Sequence, residues 1–220
     1  MTRRADIASP SLAGVSLHLG RTSRALTTWQ RDALTASDHD RAARYRRSAD
    51  ALRWASRRAV LRRLLAARVG TAPNRLEFGR APCPRCGRTS HGRPVVVTAP
   101  WLHFSVSGSG DHWLIGISSA HVLGVDLERA RPVDVDAISR LACSSTEQRV
   151  LRLSPGSGLR LWVRKEAALK ARGCGLGSGI RTVLEDPTLS VADVNFGPTL
   201  LAACAVVAAD GSAARVGQTG

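Results

Sequence analysis

The chain has 220 residues, of which 44% are apolar, and its formal charge at pH 7 is +15. This length and composition predict a globular protein with a substantial core and exclude a disordered chain. No apolar run reaches the roughly 18 residues that a membrane helix needs, and the N-terminus lacks the apolar stretch of a signal peptide, so we expect a cytoplasmic protein with no membrane partner.

The large positive charge indicates an anionic partner, such as a polyphosphate cofactor, nucleic acid or an acidic protein. Aromatic residues make up only 4% of the chain and no nucleic-acid motif is present, so we expect no nucleic-acid partner. The five cysteines are odd in number. This favours thiols or metal ligands over a disulfide framework.

The first half of the chain contains one long helical pattern. Apolar and arginine positions alternate with helical spacing from Ser37 to Val69, which predicts one long helix or two joined helices. Gly70 and Pro73 stand where such a helix should end. The stretch 73–100 is rich in Pro, Gly and Cys and predicts a loop with short strands.

Strand patterns then dominate the middle of the chain. We predict strands at 103–107 and 113–117 around a turn at Ser107–Asp111, and a third strand at Val122–Glu128. Helical patterns return at 135–143, 146–153 and 159–172, and Gly173 is suited to cap the last helix. The tail after Arg181 predicts short strands and turns, with frayed final residues. This irregular mixture favours an α+β fold.

Two acidic side chains lie close together in the third predicted strand. Asp126 and Glu128 are two residues apart, so they face the same side while Val125 and Leu127 point into the core. Paired carboxylate oxygens suit Mg²⁺, which takes its remaining ligands from phosphate and water. The alternative is a solvated strand end whose acids pair with nearby arginines.

The only two lysines among the 32 basic Lys and Arg residues lie in one predicted helix, at Lys165 and Lys170. Trp162, Glu166 and Lys170 are spaced by four residues and therefore share one stripe of that helix. An ordinary surface ion pair between Glu166 and Lys170 is the simpler interpretation. A functional interpretation requires Glu166 to meet the acidic pair of the strand in space.

These two segments resemble the signatures of a known enzyme family. The chain reads Leu123-Gly-Val-Asp126-Leu-Glu128 and Trp162-Val-Arg-Lys165-Glu166-Ala-Ala-Leu-Lys170-Ala-Arg-Gly173-Cys-Gly175-Leu176. The 4′-phosphopantetheinyl transferase superfamily, in its large surfactin-synthetase-activating type, carries G-[IV]-D-[IVL]-E and W-x-x-K-E-A-x-x-K-x-x-G-x-G-L. Both signatures are complete here and in the right order.

Two upstream segments extend the resemblance. His91-Gly-Arg93-Pro94 is similar to the family's G-[KR]-P segment, and Phe104-Ser-Val-Ser107-Gly-Ser109 is similar to its F-N-[IV]-S-H-S segment. One residue departs, because Gly108 stands where the family has a histidine that contacts a phosphate of coenzyme A. The departure implies a lost donor, for which His112 or neighbouring arginines are candidate substitutes.

The resemblance implies an architecture as well. In the family, two similar α+β halves are related by a pseudo-two-fold axis, with the active site in the cleft between them. Residues 1–120 would form the N-terminal half, which binds the nucleotide end of the donor. Residues 121–220 would form the C-terminal half, which carries the metal and catalytic residues. We expect a monomer.

The resemblance also implies an activity. The family transfers the 4′-phosphopantetheine arm of coenzyme A to a serine of an apo acyl or peptidyl carrier protein and releases adenosine 3′,5′-bisphosphate. Such carriers serve polyketide synthases and nonribosomal peptide synthetases in secondary metabolism, and their acidic surfaces would suit this basic chain. The alternative is a non-catalytic relative that binds coenzyme A or carriers, and Gly108 motivates it.

The family pattern assigns roles to individual residues. Mg²⁺, or Mn²⁺ in its place, would be held by Asp126, Glu128 and Glu166. Lys170 would contact the diphosphate, and Glu166, or Glu128 through a water molecule, would act as the base. Coenzyme A would be bound by a set of six residues: Arg41, Arg53, Arg93, Ser107, Lys165 and Lys170.

One segment lies outside the family pattern. Cys83-Pro-Arg-Cys86, followed by His91, has the spacing of a zinc knuckle, but no fourth ligand is evident unless His103 or His112 supplies it. From the sequence alone we favour a loop of unligated thiols. We expect Cys143, Cys174 and Cys204 to pack as small apolar side chains.

Overall fold

The computed structural model describes residues 12–173 and 179–208, together with the backbone of residues 3–5. Residues Cys174, Gly175 and Leu176 of the second signature lie outside this part of the chain, as do the last twelve residues.

The order of helices and strands confirms the α+β class. The strands are β1 (Arg3–Ala5), β2 (Val15–Arg21), β3 (Phe78–Arg80), β4 (Pro94–Val96), β5 (His103–Ser109), β6 (His112–Ser118), β7 (Leu123–Arg129), β8 (Leu189–Val194) and β9 (Leu200–Val207). The helices are α1 (Thr28–Asp32), α2 (Ala36–Ala43), α3 (Ser48–Val69), α4 (Val135–Ala142), α5 (Ser145–Leu153) and α6 (Gly158–Arg172). No helix in the described ranges has both the length and the apolarity needed to cross a membrane.

The predicted helix over 37–69 is two helices, α2 and α3. A break at residues 44–47 separates them, and Thr35 caps α2 through a reciprocal pair of hydrogen bonds with Asp38. Gly70 ends α3 and Gly173 ends α6, each with a left-handed backbone (φ 74° and 72°) that favours glycine. Both predicted helix ends are therefore confirmed.

The strands form three sheets, all with antiparallel neighbours. One sheet has the order β1-β2-β6-β5, a second pairs β3 with β4, and the third has the order β7-β9-β8. The first draws its strands from residues 3–118 and the third from residues 123–207. The predicted division near residue 120 stays a prediction, because one apolar core, which includes Leu17, Leu114, Val125 and Leu127, joins strands of both sheets.

The predicted turn at Ser107–Asp111 is wrong in its extent. Strand β5 continues to Ser109, and the hairpin turns at Gly110 and Asp111, where Gly110 has a φ of 57°. Ser107 pairs with Leu114 inside the sheet. Two small residues, Gly108 and Ser109, look like turn residues in the sequence, but their pairing with β6 holds them in extended backbone.

Candidate functional site

The site lies where the edge strands β5 and β7 run side by side in the same direction. Three serines of β5, which we call the serine ladder, join the two strands through their side chains. The backbone N–H groups of Val125, Leu127 and Arg129 donate to the hydroxyl oxygens of Ser105, Ser107 and Ser109 at 3.0, 3.2 and 3.1 Å. Through the ladder, backbone N–H groups on the edge of β7 have hydrogen-bond partners, although β5 and β7 belong to different sheets.

Two of these serines also hold the acidic pair. Ser107 donates to Asp126 Oδ1 and Ser109 donates to Glu128 Oε2, both at 2.7 Å. The third serine, Ser105, has the same backbone contact, but the equivalent position on β7 is a glycine. Both carboxylates therefore face β5, in agreement with the predicted alternation along the strand, while Val125 and Leu127 are fully buried.

Gly124 allows helix α6 to pack directly on β7. A β-carbon at this position would collide with the backbone oxygen of Ala167 and the backbone nitrogen of Ala171. This close approach places the residues of α6 next to the acids of β7. The glycine of the first signature therefore has a physical reason, since a larger residue would push the helix away from the site.

Lys170 connects α6 to β7. Its ammonium donates to Asp126 Oδ1 at 2.6 Å and to the backbone oxygen of Val125 at 3.1 Å. Asp126 is buried, and its second oxygen, Oδ2, is also buried and has no hydrogen-bond partner among the described residues. Lysine and aspartate from segments 44 residues apart thus meet in one site, with one carboxylate oxygen left to bind a further group.

Glu166 lies close enough to Asp126 and Glu128 for their charges to affect its pKa. Burial raises the pKa of Glu166 above its ordinary value, the negative charges of Asp126 and Glu128 raise the pKa further, and Lys170 opposes them. The three carboxylates are near one another, but their oxygens do not all lie within 4.8 Å of each other. Among the described residues, one group of three potential metal ligands meets that distance, and it does not include Asp126, Glu128 or Glu166.

The two lysines have different surroundings. Lys165 is fully buried, and its ammonium donates to the backbone oxygens of Ile180 and Arg181, both at 2.9 Å. It also forms an ion pair of 2.8 Å with Glu147. These contacts occupy all three of its donors, so the structure does not bring Lys165 to the surface that Lys170 faces. Its contacts tie α6 to α5 and to the segment that follows α6.

Arg93 and Lys170 line the same cavity, which measures about 260 Å³. Ser105 and Gly173 also line it, and the stem of Arg93 lies close to the backbone of Gly173. Burial lowers the pKa of Arg93, and its Nε has no hydrogen-bond partner among the described residues. Arg80 lines the cavity as well, so the cavity presents three basic side chains to a bound ligand.

Neither Arg41 nor Arg53 lines this cavity, and each of them lines a different cavity. Arg41 is exposed, and its guanidinium lies 5.3 Å from the centre of the Trp54 ring, beside a cavity of about 590 Å³. Arg53 donates to Asp111 and Asp50, both at 2.9 Å, beside a second cavity of about 450 Å³. The structure thus separates basic residues that the resemblance groups together.

Sequence reasoning missed Arg57, one helical turn after Arg53 on α3. A β-carbon at Gly108 would collide with Arg57 Nη1, so the guanidinium occupies the place of a side chain at residue 108. No carboxylate in the described ranges pairs with Arg57, and burial lowers its pKa, with Tyr45 opposing this shift. The departure at Gly108 was a usable signal, but the sequence gives no means of choosing among the seven arginines on α2 and α3.

Comparisons with known proteins agree on the class of protein that this fold and site define, a phosphopantetheine-transferring enzyme. The family model of the 4′-phosphopantetheinyl transferase superfamily matches residues 122–203. A protein of Synechocystis sp., provisionally named a 4′-phosphopantetheinyl transferase, is 31% identical over 179 residues, which cover 77% of this chain and 69% of the relative.

Two Bacillus proteins are also similar to the chain. The 4′-phosphopantetheinyl transferase psf-1 of Bacillus pumilus is 35% identical over 95 residues, which cover 41% of this chain and 40% of the relative. A 4′-phosphopantetheinyl transferase of Bacillus subtilis is 24% identical over 148 residues, which cover 66% of this chain and 62% of the relative. The chain belongs to the 4′-phosphopantetheinyl transferase superfamily.

Proposed function

We propose that this chain transfers the 4′-phosphopantetheine arm of coenzyme A to a serine hydroxyl of an apo acyl or peptidyl carrier protein. The observation that carries the proposal is the meeting of Asp126 and Lys170 at 2.6 Å, because it unites the two signatures of the superfamily in one site. In the transfer, the serine oxygen attacks the phosphorus next to the pantetheine arm. The bond to the bridging oxygen breaks, and adenosine 3′,5′-bisphosphate leaves with that oxygen.

Asp126, Glu128 and Glu166 would hold Mg²⁺, or Mn²⁺ in its place. The residues fit such an ion in their chemistry, since all three offer carboxylate oxygens and the buried Asp126 Oδ2 has no hydrogen-bond partner among the described residues. In the described structure their ligand atoms do not all lie within 4.8 Å of one another, so side chains would have to move closer for all three to reach one ion. When bound, the ion would neutralise the diphosphate and make its phosphorus easier to attack.

The charges around the cavity support a site for the diphosphate. Lys170 and Arg93 both face the cavity, so a diphosphate there would meet two cations. The negative charge on the bridging oxygen grows as the bond breaks, and the Lys170 ammonium would stabilise it. Glu166, or Glu128 through a water molecule, would accept the proton of the carrier serine.

Three further assignments complete the donor site. Arg57 would take the role of the family's histidine and contact a phosphate of coenzyme A. Arg41 and Arg53 would bind the nucleotide end from the separate cavities that they line, and Ser107 would position Asp126 instead of contacting phosphate from a turn. Lys165 is left out of this set because its ammonium is already enclosed by protein oxygens.

The proposed partners are carrier domains with acidic surfaces, for which the chain's formal charge of +15 is complementary. Electrostatic attraction would speed their association and make it sensitive to salt. Carriers of polyketide synthases and nonribosomal peptide synthetases are the proposed class. We also propose that residues 1–120 and 121–220 act as two halves of a monomer, with the donor bound between them.

The test is a mass measurement on the carrier. Purified protein is incubated with coenzyme A, Mg²⁺ and several apo carrier domains, and each carrier is expected to gain the mass of one phosphopantetheine arm. Carriers whose acceptor serine is replaced by alanine are the control and should gain nothing. If no apo carrier gains mass while the protein still binds coenzyme A, the proposal is overturned in favour of a non-catalytic binder.

A further inference from the structure

Two cysteines and a histidine come together outside the site described above. Potential ligand atoms of Cys83, Cys86 and His91 all lie within 4.8 Å of one another. The Cys86 sulfur and His91 Nε2 are 3.2 Å apart. Two ligands on one tetrahedral zinc ion, at about 2.3 Å for sulfur and 2.1 Å for nitrogen, would be separated by about 3.6 Å. The cluster therefore has nearly the spacing of ligands around one ion.

The backbone around the two cysteines forms a tight loop. The N–H of Gly87 donates to the backbone oxygen of Cys83 at 2.8 Å, and the N–H of Cys83 donates to that of Arg88 at 2.9 Å. Gly87 has a φ of 71°, and a β-carbon there would meet no atom within 4 Å, so its backbone conformation is the reason for glycine. This loop turns the side chains of Cys83 and Cys86 toward one point.

The segment that carries the cluster lacks an apolar core of its own. Every residue from Pro84 to His91 is exposed, and Cys83 is the buried residue at its base. The segment connects β3 to β4, and its ends are joined by a hydrogen bond of 2.9 Å from Ala81 to Arg93. Small structures without a sufficient core are commonly held by a metal ion.

We propose that Cys83, Cys86 and His91 bind a zinc ion. Two thiolates and a neutral imidazole are the ligands that zinc prefers, and binding would release the two thiol protons. His103 and His112, which were considered as the fourth ligand, do not belong to the cluster. The fourth position would be taken by a water molecule.

The zinc ion would hold Arg93 in place. His91 is two residues before Arg93, and both line the cavity that also contains Lys170. Gly92 between them fits closely against the backbone oxygen of Ala81, so the segment has little freedom to shift once its loop is fixed. This positioning role rests on the proposed function, whereas the zinc site itself does not.

The first experiment measures metal alone, in the full chain purified without chelator and without coenzyme A or carrier. We expect about one zinc per chain by mass spectrometry of the metals. Cys83→Ser and Cys86→Ser should lose the zinc, whereas Cys204→Ala should keep it. Cys204 is a suitable control because burial raises the pKa of its thiol to about 12, which makes it a poor ligand. Cobalt added to the zinc-free protein should give the visible bands of a tetrahedral thiolate complex.

Zinc-free protein that gives no such cobalt spectrum would overturn the site, as would zinc retained equally by the wild type and both serine variants. These results do not depend on whether the chain is a transferase. The second experiment compares the KM for coenzyme A in the wild type and in Cys86→Ser, because Cys86 is a proposed zinc ligand that does not line the cavity. We expect a rise of about 10-fold in KM with kcat retained, the lower end of the effect of losing a group that orients a binding residue. An unchanged KM in a variant that has lost its zinc would overturn the positioning role alone.

Discussion

The guanidinium of Arg57 lies in the space that any side chain at Gly108 would occupy. The Arg57 guanidinium on α3 thus fills the space that the absent side chain of Gly108 leaves on β5. The superfamily pattern has a histidine at residue 108, and we propose that Arg57, from the neighbouring helix, supplies the donor that this chain lacks on the strand.

This relationship predicts a non-additive pair of substitutions. Arg57→Ala should raise the KM for coenzyme A by about 10- to 100-fold, the effect of losing one charge-assisted hydrogen bond of about 1.5–3 kcal/mol. Gly108→His alone should also weaken binding, because the new side chain displaces Arg57. The double variant should bind better than Arg57→Ala alone, since the histidine then has room.

Arg68→Ala is the matched control for this pair. It removes one positive charge from an exposed position on the same helix, so it should change the KM for coenzyme A little. If Arg68→Ala and Arg57→Ala raise the KM equally, general electrostatic attraction explains the effect and the specific role of Arg57 is wrong.

The serine ladder predicts different effects for chemically identical substitutions. Ser107→Ala and Ser109→Ala each remove a hydrogen bond of 2.7 Å to an acid of the proposed metal site. We expect the Mg²⁺ concentration for half-maximal activity to rise by about 10-fold in each, as for other residues that orient metal ligands. Ser105→Ala loses only its bond to the Val125 N–H and should keep the wild-type Mg²⁺ dependence. Equal shifts in all three variants would show that the ladder only joins the strands.

The sequence predicted the local parts of this site because they depend on short-range patterns. Alternation along β7 put Asp126 and Glu128 on one face, and the glycines at 70 and 173 marked the ends of α3 and α6. It also gave the α+β class. Strands β1 and β2 and helix α1 were not assigned, since β1 is stabilised by pairing with β2, β2 by pairing with β6, and the short α1 by packing on α3.

The long-range parts could not be predicted from spacing. Nothing in the sequence shows that the ammonium of Lys165 points to the oxygens of Ile180 and Arg181 while that of Lys170 points to Asp126. The ladder itself is equally hidden, because Ser107 and Ser109 look like turn residues until β5 and β7 are placed side by side. Such contacts arise from tertiary packing, which one sequence does not specify residue by residue.

The contrast between the two lysines predicts opposite phenotypes. Lys170→Ala should lower kcat by about 10²- to 10³-fold, because a preorganised charge facing the leaving group is lost, while the protein stays folded. Lys165→Met should lower the free energy of unfolding by about 3 kcal/mol or more, because it leaves Glu147 without its buried partner, and the folded fraction should keep its kcat.

Denaturant unfolding and single-turnover rates measured on both variants test this contrast. A large loss of kcat in fully folded Lys165→Met would show that Lys165 acts in the substrate site. An unchanged kcat in Lys170→Ala would remove Lys170 from the proposed chemistry.

A buried ion-pair cluster between α2 and α3 predicts how stability depends on pH. Asp38 is buried between Arg58 and Arg62, at 2.9 and 2.6 Å. Burial alone would raise the pKa of Asp38. The charges and hydrogen bonds of the two arginines and the hydrogen bond from Thr35 lower the pKa by more than burial raises it. The pKa of Asp38 therefore lies below its ordinary value of 3.8. The unfolded chain therefore takes up this proton at a higher pH than the folded one.

It follows that the stability contributed by Asp38 is complete above the unfolded pKa of about 4 and is lost as the pH falls through the lower folded pKa. Asp38→Asn should lower the free energy of unfolding at pH 7 by about 3 kcal/mol, because an amide leaves the buried guanidinium of Arg62 and the half-buried one of Arg58 without a counter-charge. The difference between wild type and Asp38→Asn should shrink below pH 4. Asp40→Asn, at an exposed position on the same helix, should match the wild type throughout, and a difference between wild type and Asp38→Asn that persists unchanged to low pH would contradict the lowered pKa.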